Sequence, residues 1–317
     1  MSISASIIVP NYNHHKFLEQ RIESILNQSF QDFELILLDD CSTDESTIIL
    51  DKYKDHPKVS VHIYNKVNSG KPILQWEKGI AMANGEFIWI AESDDYSSLE
   101  FLKHTVDFLR SHNNSGLVYT QSLDVDSKNE FLQHRIKYTQ EFEPNIWENN
   151  FVCKGDDFIK SFLKVKNVIP NASAVVFRKS LVKDCFFKSD GITNLKMCAD
   201  WLFWIKLVEN TEIGFLEEPL NFFRNHENSS RNHFEIDKQR QRILEEVCVR
   251  NYLEKIIGLY QKDLWIRLFD KLIKICESNI TTLFSILIKL ESLRLALLFV
   301  KVYARKKRSV LRSISGF

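Results

Sequence analysis

Over the first 95 residues, short apolar runs rich in β-branched side chains alternate with stretches whose apolar residues recur every three or four positions. Such alternation predicts strand–helix repeats feeding a parallel sheet. Ser4–Pro10 reads as the first strand, and the turn chemistry of Pro10-Asn11-Tyr12-Asn13 ends it ahead of a helix from His15 to about Gln28. Phe17, Leu18, Ile22, Ile25 and Leu26 share one face of that helix. Phe33–Leu38 is a second buried strand that runs into Asp39 and Asp40, after which Cys41-Ser42-Thr43-Asp44 caps a helix carrying Ile48, Ile49 and Tyr53. Val59–Tyr64 alternates as a third strand, Asn68-Ser69-Gly70 is a loop, and Pro72 opens a helix that Asn84-Gly85 stops. Phe87–Ala91 is apolar throughout, as strands covered on both faces are.

That last strand drives straight into Glu92, Asp94 and Asp95. Open α/β sheets place ligands at the carboxyl ends of their strands, so two strands ending in acids on one edge would make a single acidic cleft. Crowded carboxylates repel one another and are tolerable when solvated, hydrogen-bonded or neutralised by a hard, oxygen-seeking cation such as Mg²⁺ or Mn²⁺. An acidic cap on a helix beginning near Ser97 accounts for the same residues without any ligand. Both readings stand on these residues alone.

Five pieces, Ser6-Ile7-Ile8-Val9-Pro10-Asn11-Tyr12-Asn13, Glu34 to Asp44, Asn68-Ser69-Gly70, Gly79 to Gly85 and Glu92-Ser93-Asp94-Asp95, occur together in order. In that order and at this spacing the chain resembles the amino-terminal half of family-2 glycosyltransferases, closely over residues 1–121 and loosely over 170–231. The resemblance implies an α/β, Rossmann-like GT-A fold with a mostly parallel central sheet flanked by helices. It also implies a nucleotide-diphosphate sugar donor, inversion at the anomeric carbon, and a divalent metal, Mg²⁺ or Mn²⁺, on the diphosphate. On this likeness Pro10, Tyr12 and Asn13 belong to the donor side. Tyr12 can stack on a nucleobase, and Asp40 can accept a hydrogen bond from a uracil or thymine imide N–H. A half-buried packing role for Tyr12 and a loop-capping role for Asp40 are the plainer readings.

Asp95 aligns with the family's principal metal ligand and Asp94 with the residue placed near the donor's ribose or sugar, while Glu92 stands where Asp is common. A basic residue that many relatives carry near Trp76-Glu77 is missing; Lys71 or Lys78 can compensate, or can simply be solvated. In the second half, Asp200 precedes the tryptophan-rich run Trp201-Leu202-Phe203-Trp204 as the family's acceptor-side carboxylate does, with Ala199 where a further acid is usual. An inverting transfer needs one such carboxylate to take the acceptor's proton, and Asp200 is that base; helix capping is the alternative and is compatible with it. Glu218 to His226 is similar to the family segment ending in Tyr/Phe-Arg-x-His. There His226 is placed to complete a metal shell or touch diphosphate, and Arg224 and Arg231 to neutralise phosphate.

At 317 residues the chain can hold a catalytic domain over 1–233, with a nucleotide-sugar half (1–121) and an acceptor half (122–233), plus a helical module over 234–317. Lys+Arg and Asp+Glu both number 42, which argues against a general nucleic-acid binder. The six cysteines are scattered without C-x-x-C spacing, so neither zinc nor a disulfide framework is indicated. No signal-peptide pattern precedes the first strand, and a cytoplasmic enzyme is expected, at or near the cytoplasmic face of the inner membrane. The apolar stretch 280–303 is broken by charges that disfavour a spanning helix, and with the basic tail from Arg305 it suits an anionic membrane surface or packing within a homo-oligomer. The acceptor expected is a glycan or lipid-linked glycan of bacterial surface polysaccharide assembly. Two other classes stay open: a nucleotidyltransferase, for which Pro10 to His15 lacks the glycine-rich phosphate loop, and a non-catalytic nucleotide-sugar-binding protein, which Asp200 disfavours.

Overall fold

The computed structural model describes residues 3–227, 235–258, 260–275, 290 and 292–315, and divides into two compact units, Met1–Glu227 and Asn228–Phe317. In the first unit the strands β1 (Ala5–Asn11), β2 (Phe33–Asp39), β3 (Val59–Tyr64) and β4 (Phe87–Ile90) alternate with α1 (His15–Leu26), α2 (Ser46–Tyr53) and α3 (Pro72–Met82). They pair in parallel in the order β3-β2-β1-β4, with Ile7 opposite both Leu35 and Trp89. β1, β2 and β4 are buried along their whole length, which is why they read as continuous apolar runs; β3, at the sheet's edge, is only half-buried.

The chain then departs from simple repetition. Tyr96–Ser97 forms a short strand, β5, paired antiparallel with Asn221 and Phe222, and α4 begins only at Phe101 and runs to Ser111. The acids Glu92, Asp94 and Asp95 therefore lie in the turn between β4 and β5 and cap no helix there. β6 (Ser115–Val125), β7 (Phe131–His134), β8 (Phe151–Lys154), β9 (Val175–Arg178) and β10 (Glu212–Arg224) extend the sheet, with β9 antiparallel between β4 and β6, and β6 parallel to β10. A short helix α5 (Gly155–Phe158) follows β8, and α6 (Ala199–Val208) leads into β10.

Helices α1, α2 and α4 bury Leu18, Ile22, Ile25, Leu50, Leu102 and Val106 against Ile7, Val9, Leu35, Leu37 and Trp89. Helix α3 approaches β1 so closely that a Cβ built on Gly79 would lie 2.4 Å from the Cγ2 of Ile8. Trp76 of α3 meets Phe203 and Trp204 of α6 at ring separations of 5.3 and 5.7 Å.

The second unit is helical in its described residues. α7 (Ile236–Ile257) ends at Gly258, whose φ of 69° suits the left-handed cap that glycine adopts without strain. α8 (Lys262–Ile275) and α9 (Leu293–Ser315) share with α7 a core of Ile243, Val247, Trp265, Phe269, Leu295 and Phe299. Trp265 completes its burial by donating its indole N–H to Glu254. Residues 280–289 and 291 of the apolar stretch expected over 280–303, and Arg231, lie outside the described residues.

Candidate active site

β1, β2 and β4 all end on one edge of the sheet, so Asn11, Asp39-Asp40 and the turn after β4 converge there. Between β2 and β1 the chain builds a rigid rim. Asp39 accepts from the Asn11 amide at 2.8 Å, from Ser42 N at 2.8 Å and from the Ser42 hydroxyl at 2.6 Å, while Thr43 N donates to Asn13 at 2.7 Å. Asn13 and Cys41 hold φ of 58° and 65°, conformations that these side-chain bonds enforce. Pro10 is buried within β1, opposite Leu38. Tyr12 is 44% exposed at the rim, available to stack on a planar ligand.

Asp40, expected either to meet a base or to cap a loop, is bonded to the loop that follows β3. Its carboxylate is buried and accepts from Asn65 Nδ2 (2.7 Å), Gln75 Nε2 (2.8 Å), Ser69 N (3.0 Å) and Ser69 Oγ (2.6 Å). A carboxylate has about four lone-pair sites. Its own chain fills them, so Asp40 ties the loop 65–75 to β2 and leaves an imide N–H little to bind. Lys71 likewise donates to the carbonyl of Thr193 at 2.8 Å, and Lys78 to Asn65 Oδ1; both ammonium groups are engaged by protein oxygens.

In the turn after β4, closed by Asp95 N donating to Glu92 O at 3.3 Å, Asp94 and Asp95 take different partners. Asp94 Oδ2 lies 3.1 Å from His226 Nε2, and ligand atoms of His14, Asp94 and His226 sit within 4.8 Å of one another. Asp95, expected as the metal ligand, turns inward: it is 1% exposed and accepts from Arg224 N (2.9 Å), Asn171 Nδ2 (3.0 Å) and Ser173 Oγ (2.6 Å). It knits the acidic turn to β10 and to the 171–174 segment. The trio of two imidazoles and a carboxylate offers a divalent metal mixed nitrogen and oxygen donors.

His14 was not expected. It follows the β1 turn, its Nδ1 lies 2.8 Å from Ser93 Oγ, and its ring meets that of His226 edge-on at 5.4 Å. Burial pushes the His14 imidazole below its ordinary pKa despite Asp94 nearby. Burial alone would raise Asp94, but His14 and His226 outweigh it and hold the carboxyl well down. Asp95 goes the other way, pushed up by burial and then by Asp94. Burial, with Asp94 beside it, pushes Glu92 up to about 8, although Trp76 Nε1 donates to it at 2.9 Å.

Two arginines serve this cluster from inside. Arg224, expected at phosphate, is buried and spends its guanidinium on Asp94 O (2.7 Å), Asp126 O (3.1 Å), Asn129 Oδ1 (2.6 Å) and Gln20 Oε1 (2.8 Å), stacked over Phe17 at 4.6 Å. It clamps the turn and has little left for a diphosphate. Arg21 on α1 is fully buried over the Trp89 ring at 4.8 Å, and among the described residues none of its guanidinium nitrogens has a hydrogen-bond partner. Burial lowers it to about 10, against the pull of Asp95, Asp94 and Glu92. It is a fixed internal cation beneath the acids, and only its place on the inward face of α1 hinted at it.

Asp200 stands in the first turn of α6, where its Oδ1 accepts from Trp201 N at 2.8 Å and its Oδ2 from Asn167 Nδ2 at 2.9 Å. Its side chain thus meets a first-turn N–H of α6, whose N-cap residue is Cys198. Its helix reaches the acidic turn through Phe203 and Trp204 against Trp76, and through Trp76 to Glu92.

The family model described as glycosyl transferase family 2 matches residues 6–183. Among curated proteins, the Staphylococcus aureus poly(ribitol-phosphate) beta-N-acetylglucosaminyltransferase TarS is 35% identical over 115 residues, which is 36% of this chain and 20% of that protein. The chain thus matches only about a fifth of that relative's length. Among solved structures, S. aureus TarS 1-349 in complex with UDP-GlcNAc aligns with a TM-score of 0.60 at 22% identity, over 94% of this chain and 79% of that one. A Pyrobaculum calidifontis mannosyltransferase, PcManGT, in complex with GDP-Man and Mn²⁺, aligns with a TM-score of 0.54 at 15% identity, over 96% of this chain and 80% of that one. Among the described residues, no helix is long and apolar enough to cross a membrane.

Proposed function

The chain belongs to glycosyl transferase family 2 and has the GT-A fold, and from that premise we propose that it transfers a sugar, with inversion, from a UDP- or dTDP-sugar to a hydroxyl of a glycan or lipid-linked glycan. The observation that carries this reading is the convergence of His14, Asp94 and His226 beside the β1–β2 rim, on the ligand-binding edge of the sheet. His14, Asp94 and His226 are the residues that would hold a divalent cation, Mn²⁺ before Mg²⁺ given two imidazoles. Such a cation, when bound, offsets charge on the departing diphosphate. Mn²⁺ in the complex of the Pyrobaculum mannosyltransferase lends support, as does UDP-GlcNAc in that of TarS for a uridine donor.

The remaining steps fall to the protein's own groups. Tyr12 stacks on the base, while Asp40, through Asn65, Ser69 and Gln75, holds the wall of the base pocket. Asp200 accepts the proton of the acceptor hydroxyl as its oxygen bonds to the anomeric carbon, and the bond to the diphosphate breaks with its electron pair on the leaving group. Trp201 N and Asn167 fix the direction of the carboxylate for that transfer. Related proteins named for poly(ribitol-phosphate) support a place in bacterial surface polysaccharide assembly, on the cytosolic side where nucleotide sugars are made.

Titration calorimetry with UDP, dTDP, GDP and ADP in Mn²⁺, followed by a panel of the matching nucleotide sugars, tests the donor. Equal affinity for all four diphosphates would count against the base pocket. Asp200→Asn should leave UDP and Mn²⁺ affinity unchanged and lower transfer by about 10²-fold or more, the range for a lost general base. Transfer at the parent rate would place the base elsewhere.

A further inference from the structure

Helix α9 carries two faces. Leu295, Phe299 and Val302 are buried in the core of the second unit, whereas Leu293, Leu297 and Val300 are 78%, 54% and 51% exposed. At about 100° per residue the three exposed side chains fall within an arc of roughly 60°, so they form one stripe along the helix. Lys301, Arg305, Lys307 and Arg308 are exposed beside it, on both flanks of the stripe. Residues 293–315 contain seven Lys and Arg and no Asp or Glu, in a chain whose 42 basic and 42 acidic residues balance, so the rest of the chain is net acidic. Charge is segregated onto this one helix.

We propose that the exposed face of α9 docks in the plane of an anionic lipid surface, with Leu293, Leu297 and Val300 entering the acyl boundary and the four cations meeting the headgroups. An apolar stripe flanked by Lys and Arg is what an interfacial helix needs, since each long side chain can lay its stem on the stripe and keep its charge in the headgroup layer. A second copy of this chain is a poorer occupant: a two-fold contact would set this patch against itself and oppose cation to cation. Nucleic acid would answer the charge but leave the stripe in water. The inference does not depend on the donor site, so it can fail while the glycosyltransferase reading holds, and the reverse.

The full chain is sedimented with vesicles of phosphatidylcholine alone and of phosphatidylcholine mixed with phosphatidylglycerol, with no sugar nucleotide present. It should pellet with the anionic vesicles only and be released at high salt, because screening shortens the reach of the cations. Lys301→Gln with Arg305→Gln should weaken binding by about fivefold for each charge removed. Leu297→Ser with Val300→Ser should weaken it by about tenfold or more, while the melting temperature stays at the parent value because all four side chains are exposed. Equal binding to both vesicles, or variants that bind like the parent, overturns the proposal. So does a dimer in sedimentation velocity that the Leu297→Ser, Val300→Ser chain loses while vesicles are ignored, which assigns the face to a second copy. Binding a short DNA duplex more tightly than anionic vesicles overturns it as well.

Discussion

Asp94 and Asp95 are adjacent in sequence and opposite in office. Asp94 faces two imidazoles; Asp95 faces three protein donors. Asp94→Asn should therefore cost at least about tenfold in Mn²⁺ affinity, the loss seen when a metal's surroundings are disturbed, with little change in melting temperature. Asp95→Ala leaves Arg224 N, Asn171 and Ser173 without their acceptor in the interior, and each unmet buried group costs about 1–3 kcal/mol. Denaturant melts should show a loss of roughly 3 kcal/mol or more. Should Asp95→Ala melt like the parent and lose Mn²⁺ instead, the two roles are reversed. Arg21 adds a test of the field beneath the turn. Arg21→Met removes a buried cation near both carboxylates, so calorimetry should show Mn²⁺ bound more tightly, by about tenfold or more, since a unit charge acting on a divalent ion at an effective dielectric near 20 is worth about 2 kcal/mol even at ~15 Å. Weaker Mn²⁺ binding would mean that Arg21 chiefly keeps the acids ionised.

Elements bring these residues into register. The acidic turn is fixed below by β4 between β1 and β9, and from the side by β10, whose Arg224 bonds both Asp95 and the Asp94 carbonyl. Helix α3 links that turn to α6, because Trp76 donates to Glu92 and packs on Phe203 and Trp204. Its seat depends on Gly79 against Ile8. Gly79→Ala should force α3 off β1 and cost about 1–3 kcal/mol, the usual range for overpacking, and it should also weaken donor binding because Gln75, Lys71 and Trp76 ride on the same helix or its cap. Unchanged stability in urea would show that the Ile8 side chain turns aside freely. The strand pattern from Ala5 to Ile90 was readable to within a residue or two, since buried parallel strands declare themselves as apolar runs. β5 was not: two residues, Tyr96 and Ser97, make a strand only because Asn221 and Phe222 lie beside them.

Considered whole, the molecule keeps its donor-side and base candidates from Pro10 to His226, Arg231 apart, within the unit Met1–Glu227, whose core cluster also lies inside those bounds. The fragment 1–227 produced alone should unfold in one cooperative transition and bind UDP with Mn²⁺ as the full chain does. A fragment that is unfolded by circular dichroism would show that the helical unit is needed for the catalytic one to fold. The full chain and the fragment should differ on anionic vesicles, where α9 is present in only one of them.

The order of strands and helices, the apolar interiors of β1, β2 and β4, and the clustering of acids after β4 follow from local pattern, because burial and turn chemistry act over a few residues. Family membership was legible in the same local pieces. Which acid meets which partner was not, because it rests on contacts between residues far apart in the chain. His226 reaches Asp94 across 132 positions, Arg224 reaches Gln20 across 204, and Asp40 is filled by Asn65, Ser69 and Gln75 once their loop folds over it. Read as a string, Asp40, Lys71 and Arg224 were ligand candidates with plainer readings beside them. In the folded chain, buried polar groups must find partners nearby, and these three found them within the protein.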